Sequence, residues 1–314
     1  MQLRLDSLGK DSADEMLSAL LDGGVELNPL RRLIIERTEG NPFFMEETVL
    51  VLFDEGALVR NGVVKLTRPL HELKIPPTVQ DILAARIDRL APDQKDLLQT
   101  LAVIGMEFKL GLVHMIAAKS KPELEPMLSE LQLGEFIYEQ PAVGDLEYTF
   151  KHALTHDVAY KSVLKKRRQF LHERTGAGLE SIYADNLDDH VAELAHHYTR
   201  NGNPGKAVKY CLRAVRQCTA RGSYAEAFAQ FETGLELLPK LPDDDQRAEL
   251  ELDLRNASGL AVGVIKGWRS PDAERSSERA IALCQRPGLD WRKTWSALRI
   301  VFLIRWNSFD LRKA

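Results

Sequence analysis

Apolar residues recur at helical spacing along most of this chain and alternate only in a few short stretches. The opening segment alternates briefly at Leu3 and Leu5 and then turns helical. Ser12 is the predicted N-cap, Met16, Leu17, Leu20 and Leu21 form the stripe, and Gly23-Gly24 ends it. A second helix is predicted over 29–37, with Leu30, Leu33 and Ile34 inward. Gly40-Asn41-Pro42 interrupts the pattern, and a third helix starts there with Phe43, Phe44, Val49, Leu50 and Phe53. Glu46 and Glu47 fall in its first turns, where they favour the positive end of the helix dipole. Residues 56–65 alternate around Asn61-Gly62, a strong hairpin signal. Pro76-Pro77 then punctuates the chain and marks a boundary.

The next stretch predicts four helices, two strands and a further helix. Thr78 caps a helix with Val79, Ile82, Leu83 and Ile87. Pro92-Asp93 opens another with Leu97, Leu98, Leu101, Ala102 and Ile104. A short helix covers about 110–117, and Pro122 opens one with Leu124, Met127, Leu128 and Leu131. Strands follow at 136–138 and 146–150 around a turn at Val143-Gly144-Asp145. Helices followed by a two-stranded wing make a winged-helix pattern.

Beyond Phe170-Leu171-His172 the pattern is helical to the end. Gly202 precedes Ala207 as Gly222 precedes Ala227, and each turn opens a helix with small and aromatic residues at intervals. This is the grammar of stacked helix pairs, close to the roughly 34-residue tetratricopeptide type. Later helices near 247–262, 271–284 and 291–306 have longer connections, so the repeat is degenerate. No polar capping helix precedes Ala314, and a cut-short array is the expectation. The predicted fold is mainly α: a helical lid with a small hairpin over 1–75, a winged helix over 76–175 and tetratricopeptide-like repeats over 176–314.

Composition narrows the role. The net charge of -4 argues against a chain built to coat nucleic acid or an anionic membrane. The cysteines Cys211, Cys218 and Cys284 lack metal spacing and fit reduced thiols in the cytoplasm. No apolar run reaches membrane-spanning length, and the N-terminus has no apolar signal region.

Catalytic motifs are missing. Neither Gly9-Lys10 nor Gly205-Lys206 has the upstream glycine or following Ser/Thr of a phosphate-cradling P-loop. No Gly-x-Ser-x-Gly elbow or metal spacing appears. His196 and His197 are adjacent and point to different helix faces; His152 and His156 lie one turn apart without a third ligand. Two clusters remain. Gly40-Asn41-Pro42-Phe43 reads as a helix stop and restart or as a ligand turn, and His152 as a half-buried cap or as a ligand contact. Tyr183, Tyr198, Tyr210 and Tyr224 either line a concave surface or pack between helices, and packing is favoured. Trp268, Trp291, Trp295 and Trp306 are also read as packing residues.

The succession Gly40-Asn-Pro-Phe-Phe-x-Glu-Glu47, Ile75-Pro-Pro-Thr-Val-Gln-Asp-Ile-Leu-Ala-Ala-Arg-Ile-Asp-Arg-Leu90 and Leu101-Ala-Val-Ile-Gly-Met-Glu-Phe108 resembles STAND-type AAA+ ATPases. It is most similar to those fused to class III adenylate/guanylate cyclases and followed by tetratricopeptide repeats, and Leu194-Ala-His-His-Tyr198 fits the same family. The resemblance implies that the lid turn at Gly40, Asn41 and Pro42 holds adenine. It also implies that His152, the counterpart of a winged-helix Met-His-Asp histidine, reaches the ADP β-phosphate. Ala153 stands where that motif has Asp.

The resemblance further implies that the P-loop and any cyclase domain precede residue 1. ATP/ADP then belongs to the intact parent, and this chain alone would be no enzyme and would bind nucleotide poorly. The expected partners are the upstream ATPase/cyclase domains and proteins docking on the repeats, with no nucleic acid and no membrane. The alternatives are part of a LuxR-type transcription regulator or a stand-alone repeat scaffold. Glu123, Glu125 and Glu130 on the helix that would enter a DNA groove repel phosphates, while the basic run 161–168 is the best electrostatic patch.

Overall fold

The computed structural model describes residues 7–22, 25–73, 75–141, 144–286 and 291–307. It divides into two compact units, residues 1–110 with 119–163 and residues 111–118 with 164–314. The fold is mainly α, as the pattern predicts.

The first unit opens with α1 (Lys10–Leu20), α2 (Asn28–Thr38) and α3 (Pro42–Asp54), then a hairpin of β1 (Leu58–Asn61) and β2 (Val63–Leu66). Their apolar stripes meet in one core that includes Leu17, Leu30, Ile34, Met45, Leu52 and Leu58. Each such side chain, fully buried, contributes about 1.5–3 kcal/mol of transfer free energy. α1 starts earlier than predicted: the N-cap is Gly9, which makes no side-chain cap bond, and Ser12 lies inside the helix. The carbonyl of extended Gly9 accepts the first helical bond, from Ala13 N at 2.9 Å. Leu3, Leu5, Gly23 and Gly24 lie outside the described residues.

α4 (Val79–Arg89) and α5 (Pro92–Ile104) follow, with Thr78 capping α4 through Asp81 N at 3.2 Å. Phe44 and Val51 of α3 bury Ile82 of α4, which joins the two helical groups. β3 (Glu107–Lys109) comes next, then α6 (Leu110–Ala117), most of which belongs to the second unit. α7 (Lys121–Leu133), β4 (Ile137–Gln140), β5 (Glu147–Phe150) and α8 (Ala153–Ser162) complete the first unit. The antiparallel sheet runs β3-β5-β4, with Phe108 opposite Tyr148 and Ile137 opposite Phe150. The two-strand expectation therefore missed β3. Its three residues carry one apolar side chain, too few to alternate. Val143 of the predicted turn lies outside the described residues.

The second unit is an α-solenoid of stacked helices: α9 (Lys165–Ile182), α10 (Val191–Asn201), α11 (Pro204–Ala220), α12 (Tyr224–Leu237), α13 (Asp245–Lys266), α14 (Pro271–Cys284) and α15 (Trp291–Asn307). Each helix from α9 to α15 packs on its neighbour directly or, between α9 and α10, also through a short 3-10 segment; α11 also touches α13, and α13 touches α15. Small residues permit the close approach. A Cβ added at Gly234 would meet Leu254 at 2.7 Å. Tyr198 and Tyr210 are buried and their rings stack at 5.4 Å, so they pack between helices. Trp268 packs on Gly263. Trp295 and Trp306 depart from the packing expectation: they are 68% and 60% exposed, because α15 buries Ala297 and Val301 and turns the other face outward. The side chain of Trp291 lies outside the described residues.

Candidate functional site

The two clusters singled out from sequence converge within the first unit. Gly40 sits between α2 and α3 at φ +73°, a conformation that favours glycine, and a Cβ there would meet the Leu8 carbonyl oxygen at 2.4 Å. Its own carbonyl accepts from Leu8 N at 2.9 Å. Asn41 is the N-cap of α3, its Oδ1 accepting from Phe44 N at 3.0 Å, and Pro42 occupies the first turn. Asn41 and Pro42 are exposed. Thus a fixed turn presents a polar cap and a proline ring to solvent.

Phe43, one residue further, packs on the imidazole of His152 with ring centroids 4.0 Å apart and planes tilted 45°. His152 is the N-cap of α8, one residue beyond the end of β5 after Lys151, and makes no side-chain cap bond. It is half-buried, yet its Nε2 is buried without a hydrogen-bond partner. Burial, and next the adjacent Lys151 charge, hold its pKa below the ordinary 6.5. The ring is therefore neutral at pH 7 and has one N–H to donate. An unsatisfied buried ring nitrogen costs about 1–3 kcal/mol, a cost that an incoming acceptor would remove.

Charged residues link this junction to its surroundings. Lys151 Nζ donates to Glu46 Oε1 at 3.0 Å and to Glu135 Oε2 at 2.7 Å. Glu47, 1% exposed, pairs with buried Arg86 of α4, whose Nη2 also donates to the Gly134 carbonyl at 2.6 Å. The Arg86 guanidinium lies over the Phe136 ring at 4.9 Å. Burial raises the Glu47 carboxyl pKa and the Arg86 charge opposes the rise. Glu46 and Glu47 are thus ion-pair partners of Lys151 and Arg86 and lie beyond the first turn of α3. Lys151, Phe43, Glu46, Glu135, Glu47 and Arg86 were missed as site residues. The available signal was adjacency, since Phe43 and Lys151 directly follow Pro42 and precede His152.

Along α1 and α2 runs a groove of about 1030 Å³ that reaches Gly40. Its lining is charged and includes Asp14, Glu36, Arg32 and Arg31. Arg31 is buried there against Ser18, Asn28 and, at 3.3 Å, Asp14.

His156 and His197 each have a packing partner. His156 packs edge-on to Phe150 at 5.2 Å. His197 meets His172 through their Nδ1 atoms at 2.9 Å, both rings buried. Among the described residues no group of three or more His, Cys, Asp or Glu side chains is placed to hold a metal ion. Among them, too, no helix is long and apolar enough to cross a membrane.

No family model matches the chain. A curated, uncharacterised protein of Rhizobium meliloti (strain 1021) is 27% identical over 268 residues, covering 83% of this chain and 25% of that protein. The chain thus spans about a quarter of the length of the curated relative it matches. Among solved structures, a signal transduction ATPase with numerous domains (STAND) carrying a tetratricopeptide repeat sensor, from Pyrococcus horikoshii, covers 98% of this chain and 46% of its own. At 10% identity and a TM-score of 0.38 that likeness is too loose to carry a functional reading.

Proposed function

We propose that this chain is the sensing and regulatory portion of a STAND-type signalling ATPase linked to an adenylate/guanylate cyclase, acting in the cytoplasm. In this reading the first three helices are the remnant of a nucleotide lid, and the helices around the β3-β5-β4 sheet are a winged helix. The second unit docks protein partners. The chain performs no catalysis itself and responds to the nucleotide held by the domains it is linked to.

The observation that carries the reading is the Phe43–His152 contact at 4.0 Å. It brings the lid turn and the histidine, distant in sequence, onto one junction. Gly40, Asn41 and Pro42 form the turn that would face adenine. His152 would donate its orphaned Nε2–H toward a phosphate, which a bound nucleotide supplies as the acceptor. Lys151, the residue before the ring, is held by Glu46 and Glu135. Loss of that acceptor would leave His152 unsatisfied and weaken the junction between α3 and the start of α8, which releases the autoinhibited state. His152→Ala in the parent protein is expected to weaken ADP binding at least about tenfold, the size of one lost hydrogen bond to a charged group, and to raise basal output. Unchanged ADP affinity would refute the assignment.

A further inference from the structure

Many cationic side chains of the second unit rest on carboxylates. Lys206 sits on Glu180, Arg213 on Asp188, Arg247 on Asp243, Arg279 on Glu251 and Lys293 on Asp253. Lys165 and Lys166 at the start of α9 do not. Its first turn reads Lys165-Lys166-Arg167-Arg168, with no acidic residue and no side-chain N-cap. Lys165 and Lys166 are exposed and have no ion-pair partner among the described residues. Four cations at the positive end of a helix dipole oppose helix formation, so folding alone does not favour them.

Apolar side chains flank these lysines. Leu164 is 78% exposed and Phe170 54%. Phe170 is held from one side by the Arg174 guanidinium, 5.7 Å from its ring centroid, and Arg174 is itself fixed by donating to the Met115 carbonyl at 2.8 Å. Glu173 is the only carboxylate between 164 and 174. A supported aromatic beside unpaired lysines has the make-up of an interface anchor with a cationic rim.

We propose that the start of α9, residues 164–170, docks an acidic protein segment that places carboxylates on Lys165 and Lys166 and an apolar side chain against Phe170. Charge complementarity selects the sign of the partner. A protein is favoured over nucleic acid because one phenylalanine gives no run of stacking platforms and the chain is net -4. It is favoured over a membrane because two exposed apolar side chains fall short of the apolar face of an interfacial helix. The inference rests on the protein-docking half of the proposed function and is independent of its nucleotide half. ADP binding tests the nucleotide half, and the assay below tests the docking surface.

The probe is a fluorescein-labelled synthetic peptide of about twenty residues, rich in Glu and Asp with Leu and Trp at helical spacing. Its anisotropy is followed with the whole chain at low salt. The wild type is expected to bind saturably. Lys165→Glu/Lys166→Glu should weaken binding roughly tenfold or more and Phe170→Ala about fivefold, while Lys209→Glu on α11 leaves it unchanged. Circular dichroism melts establish that the exposed-site variants stay folded. No binding to the wild type, equal loss in the Lys209→Glu control, or tighter binding of an oligothymidine or of phosphatidylglycerol vesicles to the same lysines would overturn the proposal.

Discussion

Histidines in the two units are buried to opposite ends. His172 and His197 are enclosed between α9 and α10 and bonded to each other at 2.9 Å. Burial, and then His196, Arg200 and Arg168, push the His172 pKa down to about 3. Burial, then His172, His196 and Arg200, hold His197 well below 6.5. His152 is only half-buried, stacks on Phe43 and leaves its buried Nε2 with no partner. A buried polar ring that is satisfied locks two helices together, whereas one that is unsatisfied is poised for a ligand. The difference lies in hydrogen-bond completion and not in residue type.

Predictions from this contrast run from large effects to small. Arg86→Ala strips the partner from buried Glu47 and should cost about 3–5 kcal/mol, read as a fall in the urea midpoint. An Arg86→Met/Glu47→Gln double variant should recover part of that loss. If Arg86→Ala costs no more than an exposed substitution, the buried pair does not join α3 to α4.

The His172–His197 pair makes the second unit acid-sensitive. Both folded pKa values lie below the unfolded 6.5, so the unfolded state takes up protons first. Stability is full above pH 6.5 and falls as pH drops below it, by about 1.4 kcal/mol per pH unit for each histidine. His172→Leu should flatten that slope while costing roughly 1–2 kcal/mol at pH 7 through the unpaired His197. An unchanged slope would remove the pair from the account.

By contrast, His152→Ala should leave the melting temperature nearly unchanged, within about 0.5–1 kcal/mol, because its Nε2 has no bond to lose. A loss as large as that of Arg86→Ala would make His152 structural. Smallest of all, Trp295→Gln on the exposed face of α15 should move stability by less than about 0.5 kcal/mol while lowering self-association at high concentration.

Local signals carried most of the fold. Thr78, Asn41 and the prolines at 42, 92 and 122 mark helix starts, and Asn61-Gly62 marks the hairpin, since each acts through its own backbone. What the sequence left hidden is tertiary. β3 is too short to alternate, Trp295 and Trp306 face outward although large aromatics usually pack, and Gly9 starts α1 in place of Ser12. The candidate site was half legible. Gly40, Asn41, Pro42 and His152 stand out as turn and junction residues, but Phe43 meets His152 only in the fold. The pairs Glu46–Lys151 and Glu47–Arg86 likewise span distant segments, so no local spacing could announce them.

The most direct test follows the imidazole nitrogens by NMR in the parent protein, which carries the nucleotide-holding domains, while millimolar ADP is added across a pH series. The account predicts that ADP shifts His152 and raises its pKa toward 6.5 or above, while buried His172 and His197 stay fixed. No shift at His152 with saturating ADP, or equal shifts at all histidines, would contradict it.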